Sequence, residues 1–423
     1  MDTRFASWSQ RAEQPRAAVV VLAATVVFAA GWAVLHYGFY GDNHIVDTPV
    51  YQRYGDAMVH GQVPYSDFSV EYPPAALPTF VVPSLIAGTG ASEPDYDRVF
   101  GFLMALCGVA AVVLVGLTLV RDRAGPDRLV GATAFVALAP LALGSVLLTR
   151  FDLWPTALVV AALAALVAGR DRLAFGVLAV GIAAKVYPLV LLPLFVAWVW
   201  KRRGRRESGV ALGVAAAVVV LFVVPFLALS PHGVWESSLR QTTRPLQIET
   251  LGGGLLLAVH HVFGTHLTVV TSHGSQNFSG GAADALAAID SAIEVLVLFA
   301  TWVWFARGPA DAGRLFRASA AAVCAFIVFG KVLSPQYLIW LVPLVALVRG
   351  RRGLWAAGLL AGCCVLTQIW FPYRYWRLVL HFDAAASWLV LARDLGLVAL
   401  LALLVWPFPR APAATSREAM SGV

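Results

Sequence analysis

Residues 37–78, YGFYGDNHIVDTPVYQRYGDAMVHGQVPYSDFSVEYPPAALP, place five carboxylates (Asp42, Asp47, Asp56, Asp67 and Glu71) among six phenols (Tyr37, Tyr40, Tyr51, Tyr54, Tyr65 and Tyr72). Phenol rings can stack on the face of a sugar while a neighbouring carboxylate accepts a proton from a hydroxyl. The same composition also suits a solvated connecting loop whose tyrosines anchor at a membrane–water boundary. Acid density alone favours neither reading.

A second set of candidates is cationic. Lys185-Val-Tyr-Pro188 and Lys331-Val-Leu-Ser-Pro335 resemble each other, and each leads into an apolar, proline-containing run, LVLLPL and QYLIWLVPL, ending at a basic cluster. A lysine at membrane depth costs about 2.5–3.5 kcal/mol on insertion scales, so it needs a partner or a task. Holding an anionic head group such as a lipid phosphate is one such task; snorkelling to the interface is the other. Arg240 and Arg244, in SSLRQTTRPLQIETLGGG, add forked donors suited to phosphate or a diol, with Gln247 and Glu249 in the same loop. Arg150 and Asp152, in TRFDLWP, read as an ion pair bracing a short turn or as part of the site. Tyr187, Gln336 and Tyr337 flank the lysine turns and join the expected substrate contacts, with Tyr51, Tyr65, Asp67, Glu71 and Tyr72. His260, His261, His266 and His273 have no convincing ligand spacing, so no metal is expected. Arg393-Asp394 reads as an internal ion pair.

These residues are set in a chain of 423 residues that is 59% hydrophobic and 13% charged. Soluble domains are nearer a quarter charged, and apolar runs of about 20 residues recur here along the whole length, so an all-α polytopic membrane protein is expected. The net charge of +7 is concentrated at helix ends, which makes it a topology signal and not a nucleic-acid surface. Cys107, Cys324, Cys363 and Cys364 lie inside apolar runs, which excludes a disulfide framework. Basic breaks at 121–128, 169–172, 201–206, 306–314 and 349–352 belong in the cytoplasm by the positive-inside rule. The spans then read approximately 18–38, 98–120, 129–148, 154–169, 172–185, 188–200, 209–229, 286–306, 315–330, 337–348, 354–371 and 386–406. That gives about twelve segments in one domain over 1–423, with both termini cytoplasmic, an outer loop at 38–97 and a tail at 407–423. Ala75–Ile86 is too short and proline-broken to cross, so it is expected to lie on the outer surface. All eleven tyrosines and nine histidines then fall on the outer side or at its boundary. No Walker A or GxGxxG motif is present, so an activated substrate is expected to arrive within the membrane.

The acidic outer loop, the YPP-opened interfacial helix and the dozen spans resemble the GT-C class of membrane glycosyltransferases. DTPVYQRYGDAMVHGQVPYSDFSVEYPP, KVYPLVLLP and SPQYLIWLVP resemble glycosyltransferase family 87 in particular. The resemblance implies a polyprenyl-phosphate sugar as donor, inversion at the anomeric carbon, and an acid of the first outer loop as general base. Asp47 best matches that acid, and Asp42 is next. It implies mannose as the sugar and a cell-envelope glycolipid or glycan as acceptor, at a bacterial plasma membrane, with no cofactor. Family members acting on phosphoinositol glycolipids often carry paired histidines near the second lysine turn; SPQYLIWLVP has none. A transporter or flippase of a lipid-linked sugar, with the lysine turns as pseudo-symmetric broken helices, is the rival class. Arabinofuranosyl transfer or glycan polymerisation is a further one.

Overall fold

A computed structural model describes residues 3–40 and 47–406; Asp42 and the tail 407–423 lie outside the described residues. The chain is helical almost throughout. Helix α1 (Thr3–Val34) ends in a π turn at Leu35–Phe39. The acidic loop folds into α2 (Thr48–Val59), a 3-10 turn at Pro74–Ala76 and α3 (Pro78–Ala87), and α4 (Glu93–Arg121) returns through the bundle. After them come α5 (Pro126–Ala137), α6 (Ala139–Leu143), α7 (Ser145–Leu148), α8 (Leu153–Val167), α9 (Asp171–Ala184) and α10 (Leu192–Leu229). A loop region then holds α11 (Pro231–Thr242), α12 (Leu251–Phe263) and a hairpin of β1 (Thr268–Ser272) with β2 (Ser275–Ser279), Thr268 pairing Ser279. Helices α13 (Gly281–Arg307), α14 (Ala312–Val328), α15 (Leu338–Ala346), α16 (Gly350–Trp370), α17 (Tyr375–His381) and α18 (Ala384–Val405) complete it.

Six helices among the described residues are long and apolar enough to cross a membrane: Pro15–Phe39, Glu93–Arg121, Arg205–Leu229, Gly281–Arg307, Gly350–Trp370 and Ala384–Val405. The other expected spans are shorter helices, and α8, α14 and α15 among them lie inside. All nine residues of α15 are buried, as are most of α8 and α14. A helix that is apolar all round lies either in a protein core or in lipid, and α8, α14 and α15, too short to cross, form the core while the long helices meet lipid. The expected span at 129–148 is broken into α5, α6 and α7: Pro140 lacks an N–H for the ladder, and Gly144 sits at φ 57°. The expected breaks at 201–206 survive as a kink in α10, where Gly204 adopts φ 87°.

Polar contacts separate into two ends. At one, Arg349 pairs with Asp122, Arg128 donates to the Leu347 and Val348 carbonyls, Arg203 pairs with Asp171 at 2.7 Å, and Arg172 pairs with Glu207 at 2.9 Å. The basic clusters thus meet one another across the bundle, and the acidic loop, both lysine turns and 230–280 gather at the opposite end. If that opposite end is the outer one, cysteines replacing Ser92 and His266, both exposed, should react with an impermeant maleimide from outside intact cells, and a cysteine replacing Arg206 should react only after permeabilisation. The reverse pattern would invert the orientation.

Candidate functional site

The lysine of the first turn is not free. Lys185 is the extended residue that ends α9, at φ −158° and ψ 140°, and its Nζ donates to Asp152 Oδ1 at 2.6 Å. The Trp340 indole N–H donates to the same oxygen at 2.6 Å. Trp340 is sandwiched between Tyr187 (centroids 4.0 Å apart, 3° between planes) and Tyr337 (4.1 Å, 22°). The ammonium also lies 4.8 Å from the Phe151 ring centre, 5.1 Å from that of Trp340 and 5.5 Å from that of Tyr337. An aromatic cage of this kind stabilises a desolvated cation through the ring quadrupoles. The two lysine motifs are therefore joined, but through Trp340 and Tyr337 of the second motif and not through its lysine.

Asp47 stands immediately before α2, where its carbonyl accepts from the Val50 and Tyr51 amides, and its carboxylate pairs with Arg150. Arg150 and Asp152 were read as an ion pair bracing their turn or as part of the site; Arg150 pairs with Asp47, and Asp152 with Lys185, so the ion pairs run to other segments. Although only two residues apart, each meets a partner from another segment. The second correction concerns the tyrosines. Tyr51 is buried, stacked on Phe80 at 4.5 Å with Tyr72 and Phe151 at its edges, and its hydroxyl lies 3.3 Å from Asp47 Oδ2. Tyr65 is buried against Phe226 and donates to the Tyr72 carbonyl at 2.6 Å. Tyr51 and Tyr65 are enclosed by protein, so they clamp the loop onto the bundle and are not a sugar-stacking platform; Tyr72, half-buried, meets Tyr51, Phe80 and Phe151 in edge contacts. Asp67 accepts from the Val63 amide at 2.7 Å and closes a turn.

The loop from Leu246 to Thr250 is a buried strap. Gln247 N donates to the Lys331 carbonyl (3.0 Å), Ile248 N to the Gln276 carbonyl (3.1 Å), and the Leu246 carbonyl accepts from Phe278 N (2.8 Å). Arg393, paired with Asp394 at 2.7 Å as expected, donates to the Glu249 carbonyl from inside α18. The Glu249 side chain is bonded by the Gln247 amide through one oxygen, and its other oxygen has no hydrogen-bond partner. Burial pushes the Glu249 carboxyl up to about 8, against the opposing pull of Arg393 and Arg150.

The remaining cations collect around the end of α11. Lys331 Nζ donates to the Thr242 carbonyl at 2.6 Å, and Arg244 donates to the His273 carbonyl at 2.7 Å and to Ser275 Oγ at 3.3 Å. Arg240 lies on the last turn of the same helix. Among the described residues none of the three has a carboxylate within ion-pair distance, although Glu294 feels Lys331 from further away. Lys185 was expected to act with Lys331; the structure neutralises the first and leaves the second uncompensated. Gln336 is half-buried beside Tyr337. No three His, Cys, Asp or Glu side chains converge to hold a metal among the described residues. Trp340 was not among the expected site residues. The available signal was a single indole inside an apolar run, whose N–H must find an acceptor when buried.

Two outcomes follow from this geometry. Lys185→Met leaves Asp152 as a buried uncompensated charge and should destabilise by about 3–5 kcal/mol; adding Asp152→Leu should restore part of the loss. Thermal unfolding of the single and double variants in detergent checks this. Glu249 holds its proton more tightly folded than unfolded, so its contribution is full below about pH 4.5 and is lost as pH rises through about 8. Glu249→Gln should therefore raise Tm by about 2–4 °C at pH 8, with the gain vanishing towards pH 4.5.

Comparison with known proteins places the chain. The profile of Glycosyltransferase family 87 matches residues 70–335, well over half of the sequence. Among solved structures, the chain resembles ArnT from Cupriavidus metallidurans, crystallised with undecaprenyl phosphate. The identity is 15% and the TM-score 0.48, over 92% of this chain and 76% of ArnT. No curated protein matches. The matched segment holds Glu71, Tyr72, Arg150, Asp152, Lys185, the strap and Lys331, and by that match the chain belongs to glycosyltransferase family 87.

Proposed function

We propose that the protein transfers a glycosyl residue, mannose in the first instance, from a polyprenyl-phosphate sugar to a glycolipid or glycan acceptor at the outer face of a bacterial plasma membrane, with inversion. The observation that carries this reading is the charge distribution at one end of the bundle. Asp47 with Arg150 and Asp152 with Lys185 make a balanced quartet, and Arg244 and Lys331 beside it are uncompensated. A sugar hydroxyl attacks only if a carboxylate takes its proton as the bond forms, and Asp47, one-third exposed, is the acid of the quartet open to that role. Arg150 and the Tyr51 hydroxyl hold its two oxygens in place. In the step, the acceptor oxygen bonds to the anomeric carbon, its proton passes to Asp47, and the bond from that carbon to the phosphate oxygen breaks. The charge gathering on the phosphate falls to Arg244 and Lys331, because Lys185 is already neutralised. Buried in the cage, Lys185 positions the wall of the site.

The test uses purified protein in nanodiscs with radiolabelled decaprenyl-phosphate mannose and extracted envelope glycolipids. Asp47→Asn should lower turnover at least about 10²–10⁴-fold while decaprenyl-phosphate binding persists. Lys331→Gln and Arg244→Gln should each raise the apparent donor constant and slow transfer by about tenfold or more. Near-normal turnover by Asp47→Asn would remove it as base; unchanged donor constants in both cation variants would remove the phosphate assignment.

A further inference from the structure

Beside the Arg244–Lys331 corner lies a cleft of about 330 Å³ that the transfer step does not use. Its walls come from three distant segments: 65–71 of the first loop, one face of α11, and the tip of the β1–β2 hairpin. Backbone groups fix those walls to one another. Ser230 Oγ donates to the Tyr65 carbonyl (2.9 Å), Ser237 Oγ to the Val70 carbonyl (2.7 Å), and the Gln241 amide to the Glu71 carbonyl (3.0 Å). Gly233 makes the approach possible, since a Cβ there would stand 1.8 Å from the Tyr65 carbonyl oxygen. Two charged side chains in this built cleft stay unused: among the described residues, neither the Glu71 carboxylate nor the Arg240 guanidinium has a hydrogen-bond or ion-pair partner. Ser237, Gln241 and His273 add a hydroxyl, an amide and an imidazole between them.

The depth of the cleft is set by α11. That helix starts at Pro231, two residues after the membrane-length segment Arg205–Leu229 ends. Gly233, Glu236, Ser237, Arg240 and Gln241 face the cleft, and Trp235 and Leu239, on the opposite side, are exposed. An indole and a leucine on the outward face of a polar helix at the end of a span are the pattern of a helix lying in the membrane interface. The cleft therefore opens at head-group level. It adjoins the phosphate corner through Arg244, which holds the carbonyl of His273.

We propose that this cleft binds the polyhydroxylated head of the lipid-anchored acceptor, with Glu71 accepting from sugar hydroxyls and Arg240 donating to them. A carboxylate and a guanidinium held apart, with hydroxyls and an amide between, match a polyol; a bare anion would not tolerate Glu71 or Glu236 on the same walls. This rests on the glycosyl-transfer reading for the word acceptor, and its test does not require turnover.

The probes are synthetic diacylglycerol glycosides with monomannosyl, dimannosyl, diglucosyl and diarabinosyl heads, plain diacylglycerol, the free disaccharides, and undecaprenyl phosphate, titrated against the full chain in nanodiscs. The expected result is saturable binding of at least one glycoside, none of diacylglycerol and weak binding of the free sugars. Glu71→Gln and Arg240→Gln should each weaken glycoside binding tenfold or more and change undecaprenyl-phosphate binding less than twofold, which also shows that the variants fold. Absence of glycoside binding, equal binding in both variants, or loss of undecaprenyl-phosphate binding instead would overturn the proposal. Equally tight binding of a free disaccharide would overturn its lipid-surface part. Failure of radiolabelled transfer, with glycoside binding intact, would count against the transfer reading alone.

Discussion

The contact on which the site end depends is the shared oxygen of Asp152, which takes a proton donor from Lys185 and another from Trp340. Removing an ammonium and a carboxylate from water costs several kcal/mol per ion, and their attraction offsets this only where geometry is good and remaining valences are filled. Here the indole N–H fills one, and three ring faces surround the cation. The pair thereby fixes the start of α8, the end of α9 and the start of α15 against one another. Arg150, two residues before Asp152, is left aimed at Asp47, so the position of the first-loop carboxylate follows from a contact it does not make.

Charge balance then divides the labour. Deep in the site, two cations and two carboxylates cancel, which lets them be buried without a ligand. At the rim, Arg244 and Lys331 bond only to neutral groups, with no carboxylate within ion-pair distance among the described residues. Glu249 sits between these regions as a buried carboxyl that favours its neutral form.

The architecture supports that arrangement by putting its shortest helices at the centre. α8, α14 and α15 are too short to face lipid on their own terms, and their ends bring irregular backbone to membrane depth, where only a protein surround can satisfy it. Those ends are the turns carrying Asp152, Lys331 and Tyr337. The long helices outside form a shell, from which the Arg393–Asp394 pair of α18 reaches in to hold the strap.

How much of this was legible in the sequence depends on range. Hydropathy and the arginine partition act locally, so they indicated a helical membrane chain, the positions of most helices, and the gathering of acids and lysine turns at one end; the family showed in the first-loop and lysine-turn motifs. The loop acid Asp47 and the lysine turns were legible as candidates because charge at a membrane boundary is conspicuous. Partner choice was not legible. Arg150 and Asp152 are near neighbours in sequence, yet each bonds across the fold; Lys185 and Lys331 share a motif, yet one is caged and the other is not. Tyr51 and Tyr65 look like sugar platforms until packing covers their faces. Trp340 gave only an apolar signal, because an indole shows its polar edge only once an acceptor from another helix is brought to it. Residue type and spacing determined which groups were available; the tertiary structure alone decided which charges are cancelled, because cancellation requires partners tens to hundreds of residues away to arrive within 3 Å.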